Sequence, residues 1–266
     1  MRIHTLAWQL SRFAMRPSLW PNLLHWLGRR IHTRLTGVDR EAEAAREARA
    51  AGAAWCASVA CDRAEALSRL GLDSKIATLA SRYPEETAAA AARVAQVPFR
   101  LGGASNTDLI YTLCEALQVT RAVETGVANG WSSLAILLSL STRPGAVLHS
   151  VDMPYLKYQN DRWVGIAVPE KLHACWTLHR SPDREGLPKA LEALGEIDFA
   201  HYDSDKSEAG RRFAYPLMWQ ALRPGGILFS DDIDDNLGFR DFCEGIGQAP
   251  IVVRQGDKFQ GILRKP

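Results

Sequence analysis

From about residue 120 onward, short apolar runs alternate with longer stretches of helical periodicity. Ala122–Glu124, Val147–Asp152, Trp176–His179, Ile197–Asp203 and Ile227–Asp231 are runs of the kind buried parallel strands use, apolar on both faces. Ser132–Leu140, Pro169–Ala174, Leu187–Leu194 and Ser207–Leu222 read as the helices between them. Ile251–Arg254 and Phe259–Leu263 flank Gln255-Gly256-Asp257-Lys258, a hairpin signal. Five parallel strands with crossover helices and a terminal hairpin predict a doubly wound, mostly parallel α/β sheet of seven strands.

The chain before this alternation reads differently. Thr107 to Leu117 is a helix leading into the first strand, and Pro98 to Asn106, with Gly102-Gly103, is a connector. Residues 41–96, rich in Ala, Glu and Arg, predict two or three helices with breaks near Gly71 and Pro84. The division expected is a helical extension over 1–104 and a ligand-binding domain over 105–266. Within residues 1–40 stand Arg2, Arg12, Arg16, Arg29, Arg30, Arg34 and Arg40 against one acid, Asp39. Trp20, Leu23, Leu24, Leu27 and Ile31 fall at helical spacing, with Ser18 and Pro21 as start signals. Such a basic amphipathic helix either lies on an anionic membrane surface or packs on protein. The second reading is favoured, because an apolar stripe more often meets protein. A homodimer would give it a partner surface.

Composition narrows the classes. An apolar content of 47% over 266 residues supports a real core, and a net charge of +2 gives no global attraction to nucleic acid. The basic residues cluster near the start and not around the predicted cleft, which argues against a nucleic-acid substrate. Cys56, Cys61, Cys114, Cys175 and Cys243 form no CxxC pair, as in a reduced, cytoplasmic protein. No stretch has the length of a membrane span, and Arg12 and Arg16 interrupt any signal-peptide core.

The chemistry concentrates at strand ends. Val123-Glu124-Thr125-Gly126-Val127-Ala128-Asn129-Gly130-Trp131-Ser132-Ser133 runs from apolar strand through an acid and a glycine turn into a helix. Gly126 and Gly130 let a ligand approach backbone that side chains would block. Asp152 closes the next strand, and in an open sheet ligands sit beyond the carboxyl ends. Two such carboxylates flanking a glycine turn suit a nucleoside with ribose hydroxyls. The spacing Gly126-x-x-x-Gly130 lacks the third glycine of a dinucleotide fingerprint, so a ligand without pyrophosphate is preferred over NAD. The pattern resembles the S-adenosylmethionine site of class I methyltransferases, which have a Rossmann-like sheet. That resemblance implies donor contacts from Glu124, Thr125, Gly126, Asn129, Gly130, Ser132, Asp152 and Asp203, with Asp183 toward the adenine.

His201-Tyr202-Asp203-Ser204-Asp205-Lys206-Ser207 follows the fourth strand, and Ile227-Leu228-Phe229-Ser230-Asp231-Asp232 makes the fifth. These runs put Asp203, Asp231 and Asp232 at adjacent strand ends, where three carboxylates repel unless a cation sits among them. A hard divalent ion with oxygen ligands, Mg²⁺ above all, answers that. It would hold vicinal substrate oxygens and acidify a bound hydroxyl. Lys206 would take the proton, with a pKa depressed by burial beside the metal. The alternative for Asp231-Asp232 is a solvated acidic loop, since Asp234 and Asp235 follow, and for Lys206 a pair with Asp205. His201 reads as a packed core residue, and Tyr155, Tyr158 and Trp163 as an aromatic wall or simple packing.

Asp203-x-x-Lys206 and Asp231-Asp232 look like the site of the metal-dependent catechol and caffeoyl-CoA O-methyltransferases. Val168-Pro169-Glu170, Trp176-Thr177-Leu178 and Asp203-Ser204-Asp205 are closer to the bacterial macrocin and cephalosporin-pathway branch. The resemblance covers most of 105–264. It implies Asp203, Asp231 and Asp232 as metal ligands, Lys206 as base, and a small-molecule hydroxyl as acceptor, such as a sugar, a polyketide or a catechol-like ring. Two departures stand out: plant and animal enzymes have Asn at the place of Asp232, and many of the bacterial branch have His at that of Lys206. Two other functions compete. One is a metal-independent N-methyltransferase whose acidic cluster holds an amine. The other is a non-catalytic, donor-binding scaffold.

Overall fold

The computed structural model describes residues 20, 40–73, 75–154 and 161–266. The basic helix expected over 18–31 and the aromatic positions Tyr155 and Tyr158 lie outside the described residues, apart from Trp20, which is exposed.

The expected alternation is present. In chain order the elements are α1 (Arg40–Val59), β1 (Ala60–Cys61), α2 (Arg63–Arg69), α3 (Leu79–Arg82), α4 (Pro84–Val94), α5 (Thr107–Ala116), β2 (Arg121–Thr125), α6 (Trp131–Leu140), β3 (Val147–Val151), β4 (Trp176–His179), α7 (Asp183–Leu194), β5 (Ile197–Tyr202), α8 (Glu208–Ala221), β6 (Leu222–Ser230), α9 (Gly238–Gly245), β7 (Ile251–Gln255) and β8 (Lys258–Arg264). One eight-stranded sheet runs β1-β7-β8-β6-β5-β2-β3-β4. It is parallel except where β8 pairs antiparallel with β6 and β7.

The seven expected strands are joined by an eighth. β1 is a two-residue edge strand beside β7, too short to carry an alternation signal. The segment Pro169–Ala174 is 3₁₀ helix over Glu170–Cys175, not α-helix. The helix expected from Leu187 starts earlier, at Asp183, and α9 was not anticipated. Pro84 does mark a break, standing in the first turn of α4 where a missing N–H costs nothing.

Alternation across the strands builds a core on each face. Ala122, Leu148, Phe199 and Ile227 face α5 and α6, while Val123, Ala200, Leu228 and Leu263 face α7, α8 and α9. Residues before 105 share this packing: Leu67, Leu79 and Ala90 belong to the first cluster and Cys56 to the second. All five cysteines are free thiols. No described helix is long and apolar enough to cross a membrane.

What matters for function is where the chain reverses. From β2 it steps outward to β3 and β4, then returns to place β5 on the other side of β2. The carboxyl ends of β2 and β5 therefore flank the switch point, where an open sheet leaves a crevice.

Candidate active site

Backbone hydrogen bonds stitch the strand ends into one rim. Gly126 N donates to Val151 O (2.8 Å), Asp203 N to Thr125 O (2.9 Å), Asp231 N to Tyr202 O (3.0 Å) and Asp152 N to His179 O (3.0 Å). Asp152, Gly126, Asp203 and Asp231 thus stand at consecutive strand ends, as the sequence predicts.

The turn after β2 is built from unusual backbone. Gly126 has φ +83, and a Cβ there would collide with the carbonyl of Asp203. Ala128 holds φ +47, a conformation L residues rarely take, and Asp152 Oδ2 fixes it by accepting from its N–H (3.0 Å). Gly130 caps α6 with φ +86, and a Cβ there would approach Gly165 Cα to 2.8 Å. No side chain caps α6, so its first N–H groups are not satisfied by a cap. Asn129 is buried, and its Oδ1 has no hydrogen-bond partner.

Glu124 sits below this rim, not on it. It is fully buried one residue before the strand end, accepting from Ser133 Oγ (2.5 Å) and Ser150 Oγ (2.7 Å), with His201 Nδ1 at 3.2 Å. Burial pushes its pKa up, but the His201 contact and the serine hydroxyls outweigh that and hold it below the usual carboxylate range. Burial depresses His201, yet Glu124 raises it on balance. Ser132 also engages Glu124. Glu124 thus anchors α6 from beneath the turn, and His201 is the core residue expected.

Asp152 is 4% exposed, with Arg180 Nη1 at 3.3 Å. Burial raises its pKa to about 6 despite Arg180 and the Ala128 N–H. Asp183 begins α7 and accepts from Ser204 Oγ, whose single proton is thereby used, so in the pair with Thr125 Oγ1 (3.0 Å) the threonine hydroxyl donates. Burial raises it to about 6 as well. Thr125 is therefore committed to Ser204, and Asp183 lines the same end of the sheet.

Asp203, Asp231 and Asp232 each offer an oxygen within 4.8 Å of the others. Asp231 is fully buried, and its Oδ2 accepts no hydrogen bond. An all-oxygen set with a buried, unsatisfied carboxylate oxygen fits a hard divalent cation. Two ammonium groups stand there now. Lys206 Nζ contacts Asp203 Oδ1 and lies 3.0 Å from Asp232 Oδ2, while Lys258 Nζ lies 3.3 Å from Asp232 Oδ1 and 3.8 Å from Asp231 Oδ2.

The carboxylates act on the lysine in the opposite sense to burial. Burial lowers its pKa, but Asp203 and Asp232 outweigh burial and raise it above the ordinary lysine value. Reciprocally, burial raises Asp203 to about 6 against the pull of Lys206, whereas the two ammonium groups hold Asp232 below the usual range despite its burial.

Asp232 takes φ +47, and fully buried Arg211 holds it there by donating to Asp232 O (2.5 Å) and Asn236 Oδ1 (2.7 Å). Ala44, Ala48 and Arg49 of α1, with Lys206, Arg212 and Asn236, line a cleft of about 680 Å³ beside the cluster. The sequence reading missed Lys258, Arg180 and Arg211. Their signal was weak, since lysines and arginines are ordinarily solvated and only the sheet order brings Lys258 back to Asp231. Trp163, of the expected aromatic wall, packs with Leu101, Val127 and Val164, and Arg162 lies over its ring at 4.6 Å.

Comparisons with known proteins find relatives in sequence and in fold. A family described as "Methyltransferase domain" matches residues 123–233. The catechol O-methyltransferase domain-containing protein 1 of Mus musculus is 29% identical over 123 residues, which are 46% of this chain and 45% of that protein. The chain thus spans about half the length of this curated relative. Among solved structures, the O-methyltransferase TomG of Streptomyces achromogenes, involved in tomaymycin synthesis and in complex with SAM, superposes with a TM-score of 0.53. It is 17% identical, over 75% of this chain and 94% of that one. The O-methyltransferase of Bacillus cereus in complex with SAH gives 0.51 at 15% identity, over 70% and 95%. At such identities the likeness is one of fold.

Proposed function

We propose, from the premise that residues 123–233 are a methyltransferase domain of the class I fold, that this chain transfers the methyl group of S-adenosylmethionine to a hydroxyl of a small molecule with help from a divalent cation. Asp152 would accept from the ribose hydroxyls and Asp183 would stand toward the adenine. Asn129 Oδ1 and the uncapped start of α6 would receive the amino acid end of the donor, a carboxylate being suited to a helix N-terminus. Glu124, with Ser132 and Ser133 beside it, keeps the turn in shape from below, and Thr125 ties it to Ser204.

The observation that carries the reading is the cluster of Asp203, Asp231 and Asp232 one strand step from the Gly126 turn, with Lys206 and the α1-walled cleft beside it. Asp203, Asp231 and Asp232 would hold the cation, most suitably Mg²⁺, which supplies charge to acidify an acceptor hydroxyl. The transfer is an in-line displacement. The C–S bond breaks, a C–O bond forms, and the bonding pair leaves on sulfur to give S-adenosylhomocysteine. A proton must leave the hydroxyl. Lys206 as it stands holds its own proton, and it becomes an acceptor only once Asp203 and Asp232 no longer engage its ammonium. The residues lining the cleft beside Lys206 carry both signs of charge, which does not favour a nucleic acid.

One observation favours the second reading, methyl transfer to an amine. The acidic cluster already binds two ammonium groups, Lys206 and Lys258. Turnover of a catechol and amine panel with and without excess chelator separates the two. Loss of catechol methylation in chelator supports the first. Undiminished turnover in chelator, or methylation of amines alone, overturns it.

A further inference from the structure

We infer that Gln260, locked by Asn106, is a positioning residue that sets Asp231 to receive a cation through one chosen oxygen. The inference rests on the proposed cation site and adds residues outside the three aspartates.

Gln260 lies on β8 between Phe259 and Ile262 and is fully buried. A buried amide costs on the order of 1–3 kcal/mol unless its donor and acceptor are both used. Both are used here. Gln260 Nε2 donates to Asp231 Oδ1 at 3.1 Å, and Gln260 Oε1 accepts from Asn106 Nδ2 at 3.4 Å.

The direction of this relay follows from its far end. Asn106 caps α5, and its Oδ1 accepts from the Leu109 N–H at 3.2 Å. A backbone N–H only donates, so the asparagine oxygen must face it and the Nδ2 must face Gln260. Gln260 then has to present Oε1 to Asn106 and Nε2 to Asp231. A helix cap on α5 thereby fixes the orientation of a carboxylate at the end of β6.

The consequence lies in how Asp231 is divided. Oδ1 is taken by a neutral donor, which a cation need not displace, and Oδ2 accepts no hydrogen bond, in a residue that offers an oxygen within 4.8 Å of those of Asp203 and Asp232. Lys258, by contrast, is a charged neighbour that a cation would have to outcompete. Partners that orient a ligating carboxylate without competing for the metal typically contribute about 10–100-fold to metal affinity.

The test is Mn²⁺ affinity of the full chain, read from the electron paramagnetic resonance signal of free Mn²⁺, with S-adenosylhomocysteine affinity and melting temperature measured on the same samples. Gln260→Met keeps the length of the side chain and removes both hydrogen bonds. It should weaken Mn²⁺ binding about 10–100-fold while leaving S-adenosylhomocysteine affinity unchanged. Asn106→Ser keeps an oxygen for the α5 cap but removes the amide donor. It should cost about threefold in Mn²⁺ affinity with the melting temperature preserved, the size expected for one long neutral hydrogen bond. Wild-type Mn²⁺ affinity in Gln260→Met overturns the inference and leaves the cation site standing. Absence of Mn²⁺ binding in the wild type overturns both. Should Gln260→Met fail to fold, Asn106→Ser decides, and an unchanged Mn²⁺ affinity there overturns the proposal.

Discussion

Replacing Asp152 by asparagine should uncouple donor binding from stability, because the empty site holds this carboxylate at a cost. Its pKa of about 6 lies above the ordinary 3.8, burial outweighing Arg180 and the Ala128 N–H. At roughly 1.36 kcal/mol per pH unit, ionising it at neutral pH costs the empty fold about 3 kcal/mol. A group raised in this way favours the fold below the unfolded pKa and loses that contribution as pH rises through the folded one. The empty protein should therefore gain stability as pH falls from 7 toward 4, over the window set by these two values. Donor affinity should move the other way. Ribose hydroxyls donate to the ionised carboxylate, and about 90% of it is protonated one pH unit below its pKa, so affinity should drop about tenfold at pH 5. Asp152→Asn keeps the shape and removes the charge. Losing hydrogen bonds to a charged acceptor should cost about 1.5–3 kcal/mol, or 10- to 150-fold, in donor affinity at pH 7.5. The melting temperature of the empty protein should stay level or rise. Calorimetric titration with S-adenosylmethionine from pH 5 to 8 and thermal denaturation of both proteins would measure this. A variant binding the donor within about threefold of wild type would refute the reasoning. So would a wild-type affinity flat across that range.

Three further outcomes follow from the same geometry. Gly126→Ala adds a side chain at φ +83 against the carbonyl of Asp203; it should abolish donor binding and cost about 1–3 kcal/mol in stability by denaturant titration. Lys206→Met should cut single-turnover methyl transfer about 10²–10⁴-fold with donor affinity unchanged, and retention of turnover would exclude a proton-accepting role. Lys258→Ala removes an ammonium 3.3 Å from Asp232 and 3.8 Å from Asp231; two half-exposed ion pairs of about 0.5–1 kcal/mol each predict Mn²⁺ binding tighter by about 5- to 30-fold, and weaker binding would contradict competition.

The rim was legible in the sequence because each of its carboxylates ends an apolar run. Asp152, Asp203 and Asp231 follow Val151, Tyr202 and Ser230, which close β3, β5 and β6. Strand Trp176–His179 has the predicted bounds for the same reason. What lay hidden depended on contacts distant in the chain. Glu124 has the same strand-end signature as Asp152, yet it stands inside β2, paired with Ser150 two positions before the level of Asp152, and so is buried below the crevice. Pairing partners Ser133, Ser150 and His201 then absorb it. For Lys206 the sequence suggests a lysine depressed by burial beside a metal, while the close approach of Asp203 and Asp232, which raises its pKa, depends on the packed strand ends. Gln260 was legible in principle: an amide between Phe259 and Ile262 on a strand without solvent demands a buried partner. Finding that partner required knowing that β8 lies against β6. β1 left no periodic trace at two residues, and in the sheet it pairs with β7.

Crystals grown with S-adenosylhomocysteine and Mn²⁺ would test the central claim most directly. The account predicts an anomalous peak among Asp203, Asp231 and Asp232, with adenosine density between Asp152 and Asp183 and the Lys206 ammonium turned away from the metal. Donor density at another edge of the sheet, or manganese absent from this cluster at saturating concentration, would contradict it.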